Sequence, residues 1–300
     1  MSGTSLAPIV LFVFARPAHT MRAIRSLEQN ELAERSTLII YADGARTAAD
    51  FEQLRETRAV VRQARAFAKV RIVERETNYG LARSIIEGVT DVCAQYGRAI
   101  VLEDDLVLSP HFLRYMNEAL DCYADDSQVA SIHGYCYPTS EPLPETFFLK
   151  GADCWGWATW SRAWAHFEVD GGRLLAELRS RGLTREFDFD GAYPYTRMLE
   201  DQIAGRNDSW AIRWHASCFL KGLLTLYPGR SLVENTGNDS SGTHCRDTDA
   251  FSVSVATSPV RPTRVPTEPS EQARRVFRRF FVRRRSLWSR ARDVISRVVK

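Results

Sequence analysis

Apolar runs alternate with amphipathic segments along the first ~125 residues of the chain. The apolar and β-branched runs predict strands, and the segments with apolar residues every three or four positions predict helices. The predicted strands are 7–15, 37–41, 69–73 and 99–102, and the predicted helices are 20–34, 48–68, 81–96 and 110–120. Four strand–helix alternations favour right-handed βαβ units and a parallel sheet, which is the α/β fold class.

The fourth predicted strand ends in three consecutive acids, Glu103, Asp104 and Asp105. Ser109-Pro110 follows as the N-cap and first residue of the next helix, so the acids are not needed as caps. Unpaired carboxylates at a sheet end are costly unless a cation joins them. Mg²⁺ and Mn²⁺ take oxygen ligands and bridge to phosphates. The strand end therefore predicts a divalent-cation site, with a solvated acidic turn as the alternative.

Polar residues follow the other predicted strands as well. Arg16 follows the first strand and Asp43 follows the second. Ligands of open α/β sheets bind outside the carboxyl ends of the strands, where these side chains should meet. The chain contains neither of the two glycine-rich phosphate loops, G-x-G-x-x-G after the first strand or G-x-x-x-x-G-K-[ST]. A bound diphosphate would then need a metal and arginine. Arg83, after Asn78-Tyr79-Gly80, is the candidate, although exposed helix arginines are commonly only solvated.

The segment V-L-E-D-D-L-V-L-S-P-H-F-L-R-Y-M, which follows three βα units, resembles the GT-A glycosyltransferases. It is particularly similar to the Golgi N-acetylglucosaminyltransferase I group and to bacterial sugar transferases of polysaccharide clusters. The resemblance covers residues 8 to about 250. It implies a Rossmann-like, mostly parallel central sheet with flanking helices. It also implies transfer of a sugar from a nucleoside diphosphate sugar, with Mn²⁺ or Mg²⁺ on the diphosphate.

The resemblance assigns roles to residues by their position in the motif. Asp105 would hold the metal, and Glu103 and Asp104 would contact the ribose or the base. Asp43 would bind the nucleobase edge, with Arg16 beside it. The acidic motif is E-D-D in this chain, whereas many relatives carry D-x-D, so the division of roles among the three acids stays open.

An aromatic segment, F-F-L-K-G-A-D-C-W-G-W-A-T-W-S-R-A-W, holds four of the seven tryptophans. Glycine lets backbone N–H groups approach a ligand, and aromatic rings suit the apolar faces of sugars. We therefore predict that Gly156 and Trp157 bind the donor sugar. Trp160 and Trp164 are spaced i, i+4, which favours core positions on a helix. A tryptophan-rich core loop is the alternative for the whole segment.

An inverting transferase needs a carboxylate that deprotonates the acceptor hydroxyl. The candidates are Glu200, Asp201 and Asp208. In the resembled family the base lies at the start of a helix, in an acidic pair downstream of the aromatic loop. That description indicates Asp201 first and Glu200 second. The resemblance also implies that His244 reaches the metal or diphosphate, against the alternative of an ordinary loop histidine.

The C-terminal region differs from the rest of the chain in charge and composition. Residues 258–270 are proline-rich and predict a linker. Residues 271–300 carry eleven Lys/Arg and two acids, a local charge of +9, so the other 270 residues carry −6 of the formal +3. An apolar stripe of Phe, Leu, Trp, Ile and Val runs between the arginines. This pattern is typical of a helix in an anionic membrane interface and not of a nucleic-acid-binding helix. Docking on the protein's own body is the alternative.

These features predict a GT-A domain over 1–257, with a nucleotide-binding half at about 1–125 and an acceptor and catalytic half at about 126–257. The linker 258–270 and the amphipathic helix 271–300 would follow it. Six scattered cysteines without a C-x-x-C pair favour a reducing cytosol. The apolar run 7–15 is too short for a membrane anchor and lacks the basic region of a signal peptide.

The sequence thus predicts a metal-dependent, inverting glycosyltransferase of surface polysaccharide synthesis. It would be cytoplasmic and peripheral on the inner face of the membrane, where it meets a glycan or lipid-linked acceptor. A nucleotidyltransferase acting on a sugar phosphate would share the sheet and the acids, but it usually has a basic glycine-rich loop after the first strand. A non-catalytic carbohydrate-binding protein could use the tryptophans, but it would not need E-D-D.

Overall fold

A computed structural model describes residues 5–237 and 249–298, without the side chains of Asp249 and of 285–298. Its main feature is an eight-stranded sheet with the strand order β3-β2-β1-β4-β8-β6-β9-β7, next to a two-stranded sheet of β5 and β10. The strands are β1 (Ile9–Val13), β2 (Thr37–Ala42), β3 (Lys69–Glu74), β4 (Arg98–Glu103), β5 (Leu106–Leu108), β6 (Val129–His133), β7 (Thr146–Lys150), β8 (Trp157–Trp160), β9 (Leu224–Pro228) and β10 (Val233–Asn235).

Helices flank the sheet. They are α1 (Pro17–Glu28), α2 (Phe51–Val61), α3 (Leu81–Tyr96), α4 (Phe112–Cys122), α5 (Ser161–Trp164), α6 (Gly171–Ser180), α7 (Thr184–Phe187), α8 (Tyr195–Ile203), α9 (Trp210–Leu220) and α10 (Glu271–Val298). The predicted α/β class, with a large central sheet, flanking helices and a C-terminal basic helix, is confirmed. The predicted long helix 48–68 is shorter, because a 3₁₀ turn precedes Phe51 and the helix ends at Val61.

The first half of the sheet follows the sequence prediction closely. β1 pairs in parallel with β2 and β4, and β2 pairs in parallel with β3. Every residue of β1 is buried, as is the apolar run of β4. A strand enclosed on both faces gains hydrophobic free energy from each successive side chain, which is why the run is continuous rather than alternating.

The second half of the sheet is mixed. β8 lies antiparallel between β4 and β6, with Val101 opposite Trp157. β9 runs parallel to β6, and β7 forms the antiparallel edge. Helices α6 to α9 enclose a second, smaller core that includes Leu178, Phe187 and Leu199. This satellite core belongs to the half of the chain that the sequence assigns to the acceptor and catalysis.

The C-terminal region packs more closely on the body than a linker would. The hydroxyl of Tyr123 accepts a hydrogen bond from the amide of Val265 at 2.9 Å, and the amide of Ser270 donates to the carbonyl of Phe148 at 2.8 Å. The first turns of α10 bury Phe277 and Phe281, at 1% and 3% exposure. Residues 258–270, which the sequence predicts to be a linker, thus make specific contacts with the body, while the domain boundaries themselves stay a prediction. Within the described residues, no helix is long and apolar enough to cross a membrane.

Candidate active site at the carboxyl end of the sheet

The acidic turn Glu103–Asp105 lies where β4 ends, beside the end of β1. Because β1, β2 and β4 are parallel, the loops that follow them share one edge of the sheet. Arg16 follows β1 and Asp43 follows β2, as the sequence predicts. Phe12 and Glu103 are register partners, so their side chains leave the same face of the sheet. That face also carries α3, whose Gly88 abuts the ring of Phe12.

Arg16 joins two of the three acids. One guanidinium nitrogen, Nη2, donates to Oδ1 of Asp104 and, at 3.0 Å, to Oδ2 of Asp105. Oδ2 of Asp104 accepts the amide of Phe14 at 3.2 Å. Although burial acts in the opposite direction, the two carboxylates raise the pKa of Arg16 above its usual value. The structure thus shows Arg16 as the cation of the acidic turn, whereas the sequence places it beside the nucleobase.

The acidic turn carries more negative charge than Arg16 neutralises. Burial, followed by the charges of Asp105 and Asp104, raises the pKa of Glu103 to about 8. Burial and Asp105 raise the pKa of Asp104 to about 6, against the opposing effect of Arg16. Asp104 and Asp105 share one guanidinium, which leaves excess negative charge when both are ionised, and the charges of these two acids contribute to the raised pKa of Glu103. A second cation would relieve that excess.

The loop after β10 closes over the acidic turn. The amide and hydroxyl of Thr236 donate to the carbonyl of Asp105, at 2.8 and 3.0 Å. A Cβ on Gly237 would lie 2.2 Å from Oδ2 of Asp105, so a larger residue there would displace the Asp105 carboxylate. On α1, Nε2 of His19 is 3.3 Å from the carbonyl of Thr236. The predicted metal ligand His244, seven positions after Gly237, lies outside the described residues.

Asp43 is buried and organises the loop before α3. Its Oδ1 accepts the amides of Gly44 and Tyr79, and its Oδ2 accepts the amide of Gly80 and the side-chain amide of Asn78, at 2.9 to 3.0 Å. These four bonds use the four lone-pair sites of the carboxylate. A nucleobase edge would have to replace one of them. The observed role of Asp43 is to position the loop, and its predicted contact with the nucleobase stays untested.

Tyr79 projects from this loop between two arginines. The guanidinium carbons of Arg75 and Arg83 each lie 4.1 Å from its ring centroid. Arg83 also forms an ion pair with Glu87 at 2.6 Å and is largely exposed. The predicted diphosphate contact of Arg83 stays a prediction, since its charge is already shared with Glu87 and Tyr79.

Trp157 is a core residue, so its predicted contact with the donor sugar is wrong. It is 1% exposed and stacks on Trp210, with ring centroids 5.4 Å apart. Gly156 has φ +65°, and its carbonyl accepts the amide of Gly134. A Cβ added at position 156 would lie 2.7 Å from the side chain of Val233. Glycine at 156 is thus required by close packing, and a ligand contact is not needed to explain it.

Trp160 and Trp164 are both buried, as the core interpretation predicts. Their helical spacing is not observed, because Trp160 ends β8 and Trp164 ends the short helix α5. Nε1 of Trp164 donates to the hydroxyl of Thr90 on α3 at 2.9 Å. Trp164 thus connects α5 to α3 and, through Trp214, to α9, which is a packing role.

Glu200 and Asp201 do not lie at the start of a helix. They occupy the second half of α8, and arginines surround both. Glu200 pairs with Arg179 at 2.8 Å, and Oδ1 of Asp201 pairs with Arg197 and Arg206 at 3.0 and 2.5 Å. The hydrogen bond from Arg206 is the main cause that lowers the pKa of Asp201. The position expected of the base is therefore wrong for this pair, and the catalytic role of either residue stays untested.

Asp208, the third candidate, does precede a helix. Ser209 caps α9, and its hydroxyl accepts the amide of Ile212. Asp208 lies 3.5 Å from Arg213 and is 72% exposed. The direction of α9 follows from its tryptophans. Trp210 stacks on Trp157, level with Val101 near the acidic turn, and Trp214 reaches Trp164 beyond the other end of β8. The N-terminus of α9 therefore points to the sheet edge that carries the acidic turn.

Sequence reasoning missed Asp153, in the loop between β7 and β8. The hydroxyls of Tyr137 and Tyr227 donate to its Oδ2, at 2.8 and 3.4 Å. Burial raises the pKa of its carboxyl. The neighbouring thiol of Cys154 has its pKa raised by burial first, and then by the charges of Asp153 and Glu103. The signal in the sequence was a single acid inside an otherwise aromatic, glycine-containing segment.

Among the described side chains, no three His, Cys, Asp or Glu residues converge to hold an ion on their own. The acidic turn fits a different arrangement, in which one or two carboxylates and the phosphates of a nucleotide share a hard cation. Its oxygen donors, burial and excess negative charge suit Mg²⁺ or Mn²⁺. Asp105 is the carboxylate placed to take part, since Asp104 is engaged by both Arg16 and Phe14.

The known proteins that resemble this chain were found among solved structures. No family model and no curated protein matches the chain. TarS of S. aureus is similar over 49% of this chain and 24% of its own, at 10% identity and a TM-score of 0.31. The 1–349 fragment of TarS is similar over 78% of this chain and 61% of its own length, at 8% sequence identity and a TM-score of 0.40. Mouse xyloside xylosyltransferase 1, in its apo form, is similar over 72% of this chain and 81% of its own length, at 14% sequence identity and a TM-score of 0.36.

The chain spans about a quarter of TarS and less than two thirds of the 1–349 fragment. At such identities and TM-scores these likenesses establish neither a fold family nor an activity for this chain. Activity, donor and acceptor are therefore argued from the residues of this chain.

Proposed function

We propose that this chain is a metal-dependent, inverting glycosyltransferase. It moves a sugar from a nucleoside diphosphate sugar to a hydroxyl of a glycan or lipid-linked acceptor. The observation that carries the proposal is the acidic turn. At the carboxyl end of a parallel strand, the buried carboxylates of Asp104 and Asp105 share the single guanidinium of Arg16, and the carboxyl of Glu103 lies next to them in the chain. An excess of buried negative charge at a ligand-binding edge is a costly arrangement that a cation with a phosphate-bearing ligand offsets.

Asp105 would hold the cation, and the sequence-based proposal for His244 as a second ligand is retained. When bound, Mn²⁺ or Mg²⁺ neutralises negative charge on the departing diphosphate. Glu103 and Asp104 would face the nucleoside, with Asp43 holding the loop of Tyr79 in place beneath it. Arg83 on the first turn of α3 would meet the diphosphate from the other side. In this arrangement the chain's own residues bind the donor and fix the direction in which the sugar is presented.

For the base we propose Asp208 in place of Asp201. Arg206 and Arg197 both donate to Oδ1 of Asp201. The hydrogen bond from Arg206 and the two positive charges lower the pKa of Asp201, which makes it a weaker proton acceptor. Asp208 is largely exposed and directly precedes Ser209, the cap of α9, whose first residue Trp210 stacks on Trp157 opposite Val101 of β4. Attack by an acceptor hydroxyl that Asp208 deprotonates would proceed in one displacement, with inversion at the anomeric carbon.

The C-terminal part of α10 is proposed to associate with anionic lipid. Its first half is committed to the body through Phe277 and Phe281, which leaves 285–298 to extend from it. That part of the sequence alternates arginines with Leu287, Trp288 and Ile295. A polybasic segment gains about 1 kcal/mol per Lys/Arg near an anionic surface. An enzyme held there would act in surface polysaccharide synthesis, on the cytoplasmic face of the membrane.

The proposal is tested by thermal unfolding in the presence of nucleoside diphosphates and their sugars, with and without Mn²⁺. A ligand at 100 times its dissociation constant adds about 2.7 kcal/mol to stability. We expect at least one nucleotide to raise the melting temperature only when the metal is present. Stabilisation by free sugars with no response to any nucleotide and metal would contradict a transferase and favour a carbohydrate-binding protein.

A further inference from the structure

The loop that connects β7 to β8 carries a carboxylate whose hydrogen bonding is incomplete. Oδ2 of Asp153 accepts the hydroxyls of Tyr137 and Tyr227, at 2.8 and 3.4 Å. Within the described chain, Oδ1 accepts no hydrogen bond, and Asp153 keeps partial exposure. A carboxylate that only tied the loop to the sheet would be expected to use both oxygens, as Asp43 does.

Burial raises the free energy of the charged carboxylate of Asp153, whose Oδ1 has no hydrogen-bond donor among the described residues. It raises the pKa of Asp153, and only the two tyrosine hydroxyls oppose the shift. No arginine or lysine within the described residues forms an ion pair with Asp153, in contrast to Asp104 and Asp201. A group that donates hydrogen bonds to Oδ1 would lower the free energy of the charged form. Neutral hydroxyl donors are the matching ligand chemistry, since the existing partners of Asp153 are hydroxyls too.

The hydroxyl of the buried Tyr137 joins Asp153 to a group of aromatic rings, of which Trp155, Tyr193 and Phe251 are partly exposed. We call Asp153, Trp155, Tyr193, Phe251 and Tyr137 the Asp153 cluster. Trp155 meets Phe251 edge-on at 5.6 Å, and Tyr137 lies 6.1 Å from Phe251. The pKa of Tyr193 is raised to about 12, by burial and then by the charge of Asp153. Aromatic rings beside a hydroxyl-accepting carboxylate match the two sides of a sugar, its C–H face and its hydroxyls.

The Asp153 cluster adjoins the acidic turn through its own loop. Cys154 feels the charges of both Asp153 and Glu103. Two residues later, a Cβ on Gly156 would lie 3.5 Å from the side chain of Leu102, next to Glu103. One short loop therefore connects the open carboxylate to the place where the donor is proposed to bind. A sugar held at Asp153 would be a neighbour of the donor and not a remote ligand.

The C-terminal helix supplies one wall of the cluster. The ring of Phe281 lies 5.0 Å from Tyr137 and 4.7 Å from Tyr193. The guanidinium carbon of Arg284 lies 3.9 Å from the ring centroid of Phe251. Because α10 continues toward the segment proposed to meet lipid, a lipid-linked sugar would reach this wall from the membrane side.

We propose that the Asp153 cluster is the acceptor-sugar site, in which Asp153 accepts hydrogen bonds from acceptor hydroxyls and Trp155 and Tyr193 contact the sugar ring. This inference rests on the proposed glycosyltransferase function. It assigns acceptor binding to residues other than the proposed base, Asp208, and other than the donor-binding acids.

Saturation-transfer NMR on the full-length protein tests the site. The probes are the methyl α- and β-glycosides of glucose, galactose and N-acetylglucosamine, each at about 10 mM. The variants are Asp153→Ala and Trp155→Ala, and the control is Asp190→Ala, which removes a carboxylate that pairs with Arg274 outside the cluster. Thermal stabilisation by nucleoside diphosphates with Mn²⁺ is measured on the same samples.

We expect at least one glycoside to bind the wild type and the Asp190 variant, and to bind the Asp153 and Trp155 variants at least ten-fold more weakly. Thermal stabilisation by nucleoside diphosphates with Mn²⁺ should be the same in the wild type and in the three variants. Equal glycoside binding in the variants, or no binding to the wild type, would overturn the acceptor site. Loss of the nucleotide response in the wild type would instead count against the proposed function. If Asp153→Ala does not fold, Trp155→Ala and Asp153→Asn decide the question.

Discussion

Two acidic segments of this molecule have opposite surroundings. At the end of β4, Asp104 and Asp105 share one guanidinium, and the pKa values of Glu103 and Asp104 are raised to about 8 and about 6. In α8, Glu200 and Asp201 are met by three arginines, and the pKa of Asp201 is lowered. Acids that are already neutralised have little to offer a cation or a proton. The unbalanced segment is where a ligand would gain binding free energy.

The largest effect should come from the base. Asp208→Asn removes a proton acceptor that acts only in the transition state, so transfer should fall by about 10²–10⁴-fold while the donor still binds. Steady-state rates and thermal stabilisation by the donor would be measured side by side.

Asp201→Asn is the matched control for the base, because it changes the same residue type in the balanced segment. It should keep most of the activity. A full loss of activity in Asp201→Asn together with an active Asp208→Asn would reverse the assignment. Retained anomeric configuration in the product, seen by NMR, would contradict a single displacement.

The two halves of α10 offer a second contrast. Truncation after Pro269 removes Phe277 and Phe281 from the core, and loss of one buried Phe alone typically costs about 3–5 kcal/mol. We expect this truncation to be unfolded or aggregated, as judged by near-ultraviolet circular dichroism. A folded, soluble protein would show that the helix adds little to the core.

Truncation after Arg284 keeps the buried half of α10. It should leave the melting temperature close to that of the full chain, and it should abolish flotation with phosphatidylglycerol vesicles. Equal flotation of the truncated and the full-length chain would place any lipid-binding surface elsewhere.

Two buried histidines give a third, smaller contrast. Burial lowers the pKa of His133 to about 3 and that of His215 to about 4. His215 has Ala152 as a hydrogen-bond partner at 3.1 Å, whereas both ring nitrogens of His133 lack a partner among the described residues. Between pH 6.5 and the lowered pKa values of these two histidines, the unfolded chain binds protons that the folded chain does not. Stability must therefore fall as the pH falls through this window.

His133→Phe keeps an aromatic ring and removes the proton-binding group. The variant should be more stable than the wild type at pH 5, by about 1 kcal/mol or more for each pH unit below 6.5. At pH 8 this advantage should disappear. Melting temperatures from pH 5 to 8 measure it, and a constant difference across that range would contradict burial as the cause.

The first ~125 residues were predictable because each strand there is a separate apolar run with a polar residue at its tip. Arg16, Asp43 and Glu103–Asp105 were placed at one sheet edge by the parallel-strand rule alone. Their partners were not predictable. Whether Asp43 meets a nucleobase or four loop donors depends on loop conformation, which periodicity does not report.

The second half was harder for a physical reason. Trp157 and Asp153 lie four residues apart in one aromatic segment, and the sequence does not show which is buried in a tryptophan stack and which keeps an open oxygen. The insertion of β8 between β4 and β6 decides this. Antiparallel insertion is a long-range pairing, and a local pattern carries little information about it.

The central claim is that the unbalanced acids at the end of β4 bind a divalent cation together with a nucleotide. Electron paramagnetic resonance of Mn²⁺, titrated with nucleoside diphosphates, measures this directly. For the wild type and for Asp201→Asn we predict the free-ion signal to fall when nucleotide and protein are both present, beyond the fall caused by nucleotide alone. For Asp105→Asn the extra fall should be lost, because the charge that opposes the ion is gone. An Asp105→Asn protein that still captures the ion as the wild type does would contradict the account.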